Sequence, residues 1–175
     1  MDIDRLIKKD EVHRDVYVSE EVFGLEMDRI FGSAWIYVGH DSQIPNPGDY
    51  WTTRIGLQSV VMTRGKRDEI NIFYNRCPHK GARIAEEGCG HTNGLFRCPY
   101  HAWTFNLDGK LRGVPYLDGY QDTSFDLTDP RFSLRKVARV AAYRGFVFAS
   151  LAEDGAEFED FLAGVKSSLD NFCDR

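Results

Sequence analysis

The spacing of apolar positions changes period twice along the chain. Phe23, Met27 and Ile30 recur at helical spacing, which predicts a helix over Ser19–Phe31. Ser19 is a suitable N-cap, Glu20 and Glu21 suit the first turn, and Gly32 suits a stop. The apolar stripe reads as ordinary core packing. From Trp35 onward the runs become short, β-branched and aromatic. They predict strands at Trp35–Val38, Tyr50–Ile55, Ser59–Thr63, Ile70–Tyr74, Leu95–Arg97, Trp103–Phe105, Val137–Tyr143 and Gly145–Ser150. Pro45-Asn46-Pro47-Gly48 and Arg64-Gly65-Lys66 punctuate them, and Asn106-Leu107-Asp108-Gly109 reads as a hairpin turn. From Ala156 to Phe172 helical spacing returns. Phe158, Phe161, Leu162, Val165 and Leu169 then share one face, which either the strands or a further domain must cover. The predicted fold class is mainly β, a small antiparallel barrel or sandwich flanked by an N-terminal and a C-terminal helix.

Composition narrows the picture. Of 175 residues, 42% are hydrophobic and 28% charged, the balance of a soluble globular protein. Acidic residues outnumber basic ones by 27 to 22, a net charge of −5, which argues against a broad nucleic-acid face. No run reaches the roughly 18 apolar residues of a membrane span. Met1–Asp15 is charged and lacks an apolar signal core. Four cysteines, Cys77, Cys89, Cys98 and Cys173, read as metal binding or incidental thiols rather than a disulfide framework, and a reducing cytoplasm is the expected home.

The chemistry gathers in two short segments. Asn75-Arg76-Cys77-Pro78-His79-Lys80-Gly81 follows one predicted strand, and Cys98-Pro99-Tyr100-His101-Ala102-Trp103 follows another. The pattern is C-x-H, eighteen residues, then C-x-x-H. A structural zinc site usually draws on one Cys pair and one His pair. Here each segment supplies one Cys and one His, a mixed pairing that suits a two-iron cluster, with both thiolates on one iron and both imidazoles on the other. Pro78 and Pro99 stiffen each segment directly after its Cys. Cys89 with His91 offers a less regular alternative pair. Cys173 reads as a buried or partly buried thiol, and His13 and His40 as structural or surface residues.

The segment from Cys77 to Gly113 resembles the Rieske signature. The run Cys98-Pro99-Tyr100-His101-Ala102-Trp103-Thr104-Phe105 with Asp108-Gly109 is similar to that of the large (α) subunits of aromatic-ring-hydroxylating dioxygenases, which are Rieske non-haem iron oxygenases. Ala102 stands where that family commonly has Gly, a change expected to cost little. Respiratory Rieske proteins carry an additional Cys in each loop, where Ala82 and Tyr100 stand here. Small Rieske ferredoxins lack a long helical lead such as the one preceding Cys77.

The resemblance implies a Rieske [2Fe–2S] cluster bound by Cys77, His79, Cys98 and His101, with a cluster-binding subdomain over about residues 75–115. Residues 1–34 become a helical lead, 35–155 the Rieske domain, and 156–175 a helix leading to an absent catalytic domain. The family's mononuclear Fe(II), held by two His and a carboxylate, is expected only in that domain, because His13, His40 and His91 stand far apart here. The implied partners are a reductase or ferredoxin donor and a catalytic domain of the same or a neighbouring subunit, reached through His101. Trp103 is expected to shield the cluster or to be an ordinary core residue. Lys80 and Arg83 flank the first loop as a solvated face or as an attraction for an acidic donor. A free-standing carrier and a structural zinc module are the alternatives.

Overall fold

A computed structural model describes residues 3–86 and 88–175. Met1 and Asp2, in the charged lead, and Glu87, between the two candidate segments, lie outside the described residues. Two short helices open the chain, α1 at Asp15–Val18 and α2 at Glu20–Glu26, and a π-helical turn continues α2 over Met27–Phe31. Ser19 caps α2 by accepting from the Val22 amide at 3.4 Å. The predicted single helix is therefore two pieces, with α1 a further short helix before it. Its stripe is not core: Phe23 is 47% and Ile30 50% exposed, and Val22 is the buried member of α2. The π-helical turn advances the spacing, so a stripe drawn at a constant 3.6-residue period misses the buried side.

Among the described residues ten strands follow: β1 Ile36–His40, β2 Asp49–Ile55, β3 Gln58–Arg64, β4 Ile70–Tyr74, β5 Cys89–His91, β6 Leu95–Arg97, β7 Thr104–Asn106, β8 Leu111–Gly113, β9 Arg139–Tyr143 and β10 Phe146–Ser150. They form three antiparallel sheets, ordered β1-β10-β9, β4-β3-β2-β5 and β6-β7-β8. None closes into a barrel, so the sandwich-like alternative describes the architecture better. β5 and β8 escape sequence reading because Cys89-Gly90-His91 and Leu111-Arg112-Gly113 each hold a Gly and no β-branched or aromatic residue.

The middle sheet is buried on both faces, which explains the unbroken apolar run of β3. Val61 and Phe73 face one core, with Phe96, Trp103, Phe105 and Leu111. Val60, Met62 and Ile72 face the other, with Val38, Ile44, Val137 and Val147. Alternate residues of one strand point to opposite sides, so a single strand feeds both cores. The β7–β8 turn packs beneath this sheet. Gly109 has φ +86°, and a Cβ there would lie 2.4 Å from the Phe73 ring, so the position admits only Gly.

The C-terminal tail forms two helices, α3 at Phe158–Leu162 and α4 at Lys166–Cys173, rather than one. Phe158 and Leu162 complete a third core with Trp35, and Phe148, Tyr143 and Leu169 pack against it. Trp35 sits just before β1 and donates its indole N–H to the Ala156 carbonyl at 2.9 Å, while the Arg139 guanidinium lies 4.8 Å above its ring and holds the same segment through carbonyls. The sheets thus cover part of the tail's stripe. Phe161 and Val165, its other members, are 43% and 48% exposed. Cys173 is exposed, not buried, because it closes α4 beyond the last residue packed on the sheet.

This division predicts unequal sensitivities. Leu162→Ala should cost about 2–5 kcal/mol in urea unfolding, the range for a filled core position, whereas Phe161→Ala should cost about 1 kcal/mol or less. Equal losses would show that the tail is not packed as described.

Candidate metal centre

The two ligand-bearing segments fold into the same turn. In the first, the Cys77 amide donates to the Ala82 carbonyl at 2.8 Å, and the Gly81 amide donates back to the Cys77 carbonyl at 2.9 Å. In the second, the Cys98 amide donates to the Trp103 carbonyl at 2.8 Å, and the Ala102 amide to the Cys98 carbonyl at 3.0 Å. The fourth residue after each Cys is left-handed, with φ +77° at Gly81 and +55° at Ala102. The small cost expected for Ala102 therefore lies in its backbone, not its size: an L-residue held left-handed costs about 1 kcal/mol.

Asn75, at the end of β4, fixes the longer first loop. Its side chain is buried, accepts from the Ile84 and Ala85 amides at 2.9 and 3.0 Å, and donates to the Ala85 carbonyl at 2.9 Å. One amide thereby satisfies three backbone groups that would otherwise be buried without partners. Sequence reasoning passed over this residue. The available signal was a polar amide placed directly after an apolar strand run, a common turn-fixing pattern.

The turns bring the predicted side chains together in two pairs, thiol with thiol and imidazole with imidazole. Cys77 and Cys98 are free thiols, 2% and 3% exposed, within one core cluster. Burial pushes the Cys77 thiol up to about 11. The Cys98 thiol adds to the rise, while the backbone amides of His79 and Lys80, aimed at the sulfur, pull it down. The His79 and His101 rings lie 4.6 Å apart, centroid to centroid, at 70°. Burial, and then the nearby His101 and Lys80 charges, hold His79 below its ordinary value, which favours the neutral imidazole. Its Nδ1 is buried without a hydrogen-bond partner. His101 is exposed, with Tyr100 tilted against it at 3.8 Å.

Trp103 is a core residue that also lies against one of the predicted ligands. It is 3% exposed in the core, and its indole stacks on His79 at 4.8 Å and 5°. Tyr120, Phe125 and Phe132 pack edge-on around it, an aromatic set that sequence reasoning did not assemble because it arrives from a long loop.

The residues set aside by sequence lie elsewhere. Cys89 is exposed on β5 opposite Trp51, and His91 is engaged by Asp49, Nδ1 to Oδ1 2.7 Å. His40 caps the turn after β1, accepting from the Ser42 amide at 3.3 Å, and His13 accepts from the Asp15 amide at 3.3 Å. Among the described residues, no three His, Cys, Asp or Glu side chains converge on a single ion position. A pair of buried thiols and a pair of neighbouring imidazoles, one with a buried nitrogen that has no partner, fit a two-centre group instead.

Comparison with known proteins agrees with this geometry. The family model for the Rieske [2Fe–2S] domain matches residues 34–136. Toluate 1,2-dioxygenase subunit alpha from Pseudomonas putida is 42% identical over 99% of this chain and 39% of its own length. Anthranilate 1,2-dioxygenase large subunit from Acinetobacter baylyi is 37% identical over 94% of this chain and 34% of its own. Among solved structures, naphthalene 1,2-dioxygenase from Rhodococcus sp. superposes with a TM-score of 0.78 at 37% identity, over 86% of this chain and 33% of that one. A quaternary ammonium Rieske monooxygenase superposes with a TM-score of 0.80 at 37% identity, over 90% and 42%. The chain spans about a third to two fifths of the length of these relatives.

Replacing Ala102 by Gly should relieve the left-handed strain and raise stability by about 0.5–1 kcal/mol, read as the urea midpoint of the metal-free chain. A loss of stability would mean that the turn tolerates Ala without strain.

Proposed function

Because the chain belongs to the Rieske [2Fe–2S] domain family, we propose that it is the electron-transfer part of a ring-hydroxylating oxygenase large subunit. In this reading it passes electrons from a reductase or ferredoxin in the cytoplasm to a mononuclear iron in a catalytic domain that hydroxylates an aromatic substrate. Cys77 and Cys98 bind one iron of the cluster, and His79 and His101 the other. The observation that carries the reading is the pair of equivalent turns, each presenting one buried thiol and one imidazole at the same place. The working unit is residues 35–155, with about 75–115 around the cluster and the flanking helices on either side. The aromatic substrate class follows the names of the relatives, which include toluate and anthranilate dioxygenases.

The cluster supplies one-electron chemistry, and in Rieske centres as a class two imidazoles in place of two thiolates raise the potential above the roughly −400 mV of plant-type ferredoxins. The residues prepare for it. The His79 and Lys80 amides stabilise the Cys77 sulfur as thiolate once its proton leaves. Neutral His79 keeps a buried Nδ1 that no hydrogen bond occupies, so its lone pair is available. Trp103 stacks on the same ring and excludes water from that side. His101 presents its exposed edge outward, where its second ring nitrogen can donate to a carboxylate across an interface.

A free-standing carrier is less well supported, because the resemblance to dioxygenase large subunits runs through the N-terminal and C-terminal helices as well as the cluster region. The zinc alternative needs convergent donors, and among the described residues no three of them gather at one position.

Purified under anaerobic conditions, the protein should contain two irons and two sulfides per chain and show the red-brown absorption of a [2Fe–2S] protein. Cys98→Ala should abolish both. A colourless protein with one zinc would refute the assignment, and full iron content in Cys98→Ala would remove that residue from the ligand set. Binding must displace the proton of the Cys77 thiol, whose value near 11 lies above working pH. Each unit of pH decrease below that value should therefore weaken iron retention about tenfold from this residue alone. Iron remaining after dialysis against a fixed chelator at pH 7, 8 and 9 reads this slope.

A further inference from the structure

We propose that Asn75 is a positioning residue for the redox site, and that it raises the reduction potential there by fixing the first loop. The role rests on the electron-transfer reading above. The two ligand-bearing turns are alike, but their ends are closed in different ways. In the second, β6 leads in and β7 leads out, and these strands pair with each other, Arg97 opposite Thr104. The ladder itself closes that turn. In the first, β4 leads in, but the chain leaves toward β5, which pairs with β2 on the far side of β3. Among the described residues, no strand pair closes this loop.

The Asn75 side chain stands in for the missing ladder. Its Oδ1 accepts from the Ile84 and Ala85 amides, and its Nδ2 donates to the Ala85 carbonyl at 2.9 Å and reaches Ser59 Oγ at 3.4 Å. A backbone peptide group would offer the same donor and acceptor. The Asn75 amide donates to the Ser59 carbonyl at 2.9 Å, so the residue is itself anchored on β3. Asn75, Ile84 and Ala85 are all buried, so water does not share these bonds. The eight residues between Asn75 and Ile84 include Cys77 and His79. Within them the His79 and Lys80 amides point at the Cys77 sulfur. Reduction adds negative charge that spreads onto the sulfur ligands, and N–H groups aimed at a sulfur stabilise it. Their aim depends on the shape of the loop, and that shape depends on one amide side chain. In the step itself the donor is oxidised by one electron, and the ferric pair becomes one ferric and one ferrous ion. Asn75 exchanges neither proton nor electron.

The test uses the iron-loaded chain. Asn75→Leu removes the side-chain hydrogen bonds at similar size and adds no charge. Its equilibrium constant for reduction, titrated against a mediator dye, should fall about tenfold, which is about 59 mV for a one-electron couple. Asn75→Ser leaves room for water to take up the freed amides and should show about a threefold fall. Leu162→Ala, destabilised in the third core, should keep the parent's potential, which separates positioning from a general loss of stability. In loaded Asn75→Ser the backbone amides of 76–86 should exchange about tenfold faster than in the parent, and those of 95–106 at the parent's rate. A loaded Asn75 variant with the parent's potential, or exchange that rises equally in both segments, overturns the role and leaves the electron-transfer reading standing. Folded Asn75 variants that hold no iron overturn it as well, in favour of a part in assembly. A parent without two irons overturns both.

Discussion

The structure depends on holding two thiols in a dry interior at the meeting point of two loops. A buried thiolate is unfavourable unless something answers its charge. Cys77 and Cys98 lie within the same apolar cluster as Phe96, Trp103 and Phe105, so water cannot perform that task. The answering groups available are backbone amides aimed at the sulfur and a bound cation. The short turns supply the first and create the need for the second. Each turn folds the chain back on the Cys carbonyl and places the imidazole two or three residues later beside its counterpart. The equivalence of the two turns makes this possible despite their different spacings, C-x-H in one and C-x-x-H in the other.

Much of this was legible in the sequence, for reasons that can be named. Strands such as Ile70–Tyr74 and Leu95–Arg97 were read with their observed bounds because turn residues or loop-bearing Cys flank them. The four site residues stood out because Cys and His are rare and their spacing is regular. What escaped reading depends on contacts distant in sequence. Asn75 looks like any loop amide until Ile84 and Ala85 fold back on it. The apolar stripe of the first helix misled because the buried position of α2 is Val22, one residue before Phe23, and a π-helical turn then shifts the phase at Ile30. The tail helix was read as one element because its spacing is continuous, whereas the break between Leu162 and Lys166 lets Leu162 and Leu169 reach one cluster and leaves Phe161 and Val165 outside it.

The four-stranded sheet links the distant parts. β3 and β4 contribute alternate residues to two cores, one under the ligand-bearing loops and one beneath β1 and β10. A displacement of the sheet is felt by both, since close-packed interiors transmit strain rather than absorb it. Phe73 makes the coupling specific. Its ring meets Gly109 in the turn joining β7 and β8, and β7 pairs with β6, the strand that leads into Cys98. Its own strand, β4, runs directly into Asn75 and Cys77. One aromatic side chain thus sets the separation of the two ligand-bearing segments.

Electron transfer is fastest when the accepting group changes shape little, and here the protein supplies that stiffness with stacked rings rather than with charge. His79 is gripped between the Trp103 face and the His101 ring. Trp103 in turn is wedged by Tyr120, Phe125 and Phe132, which also pack on one another. Rings packed edge to face gain about 0.5–1.5 kcal/mol per pair beyond their buried area, so rotating the His79 imidazole out of place means breaking several such contacts together. His101 has no comparable cage. It is exposed, with Tyr100 as its neighbour, itself 65% exposed. The two imidazoles are therefore physically unequal: His79 is partly buried and stacked on Trp103, and His101 is exposed.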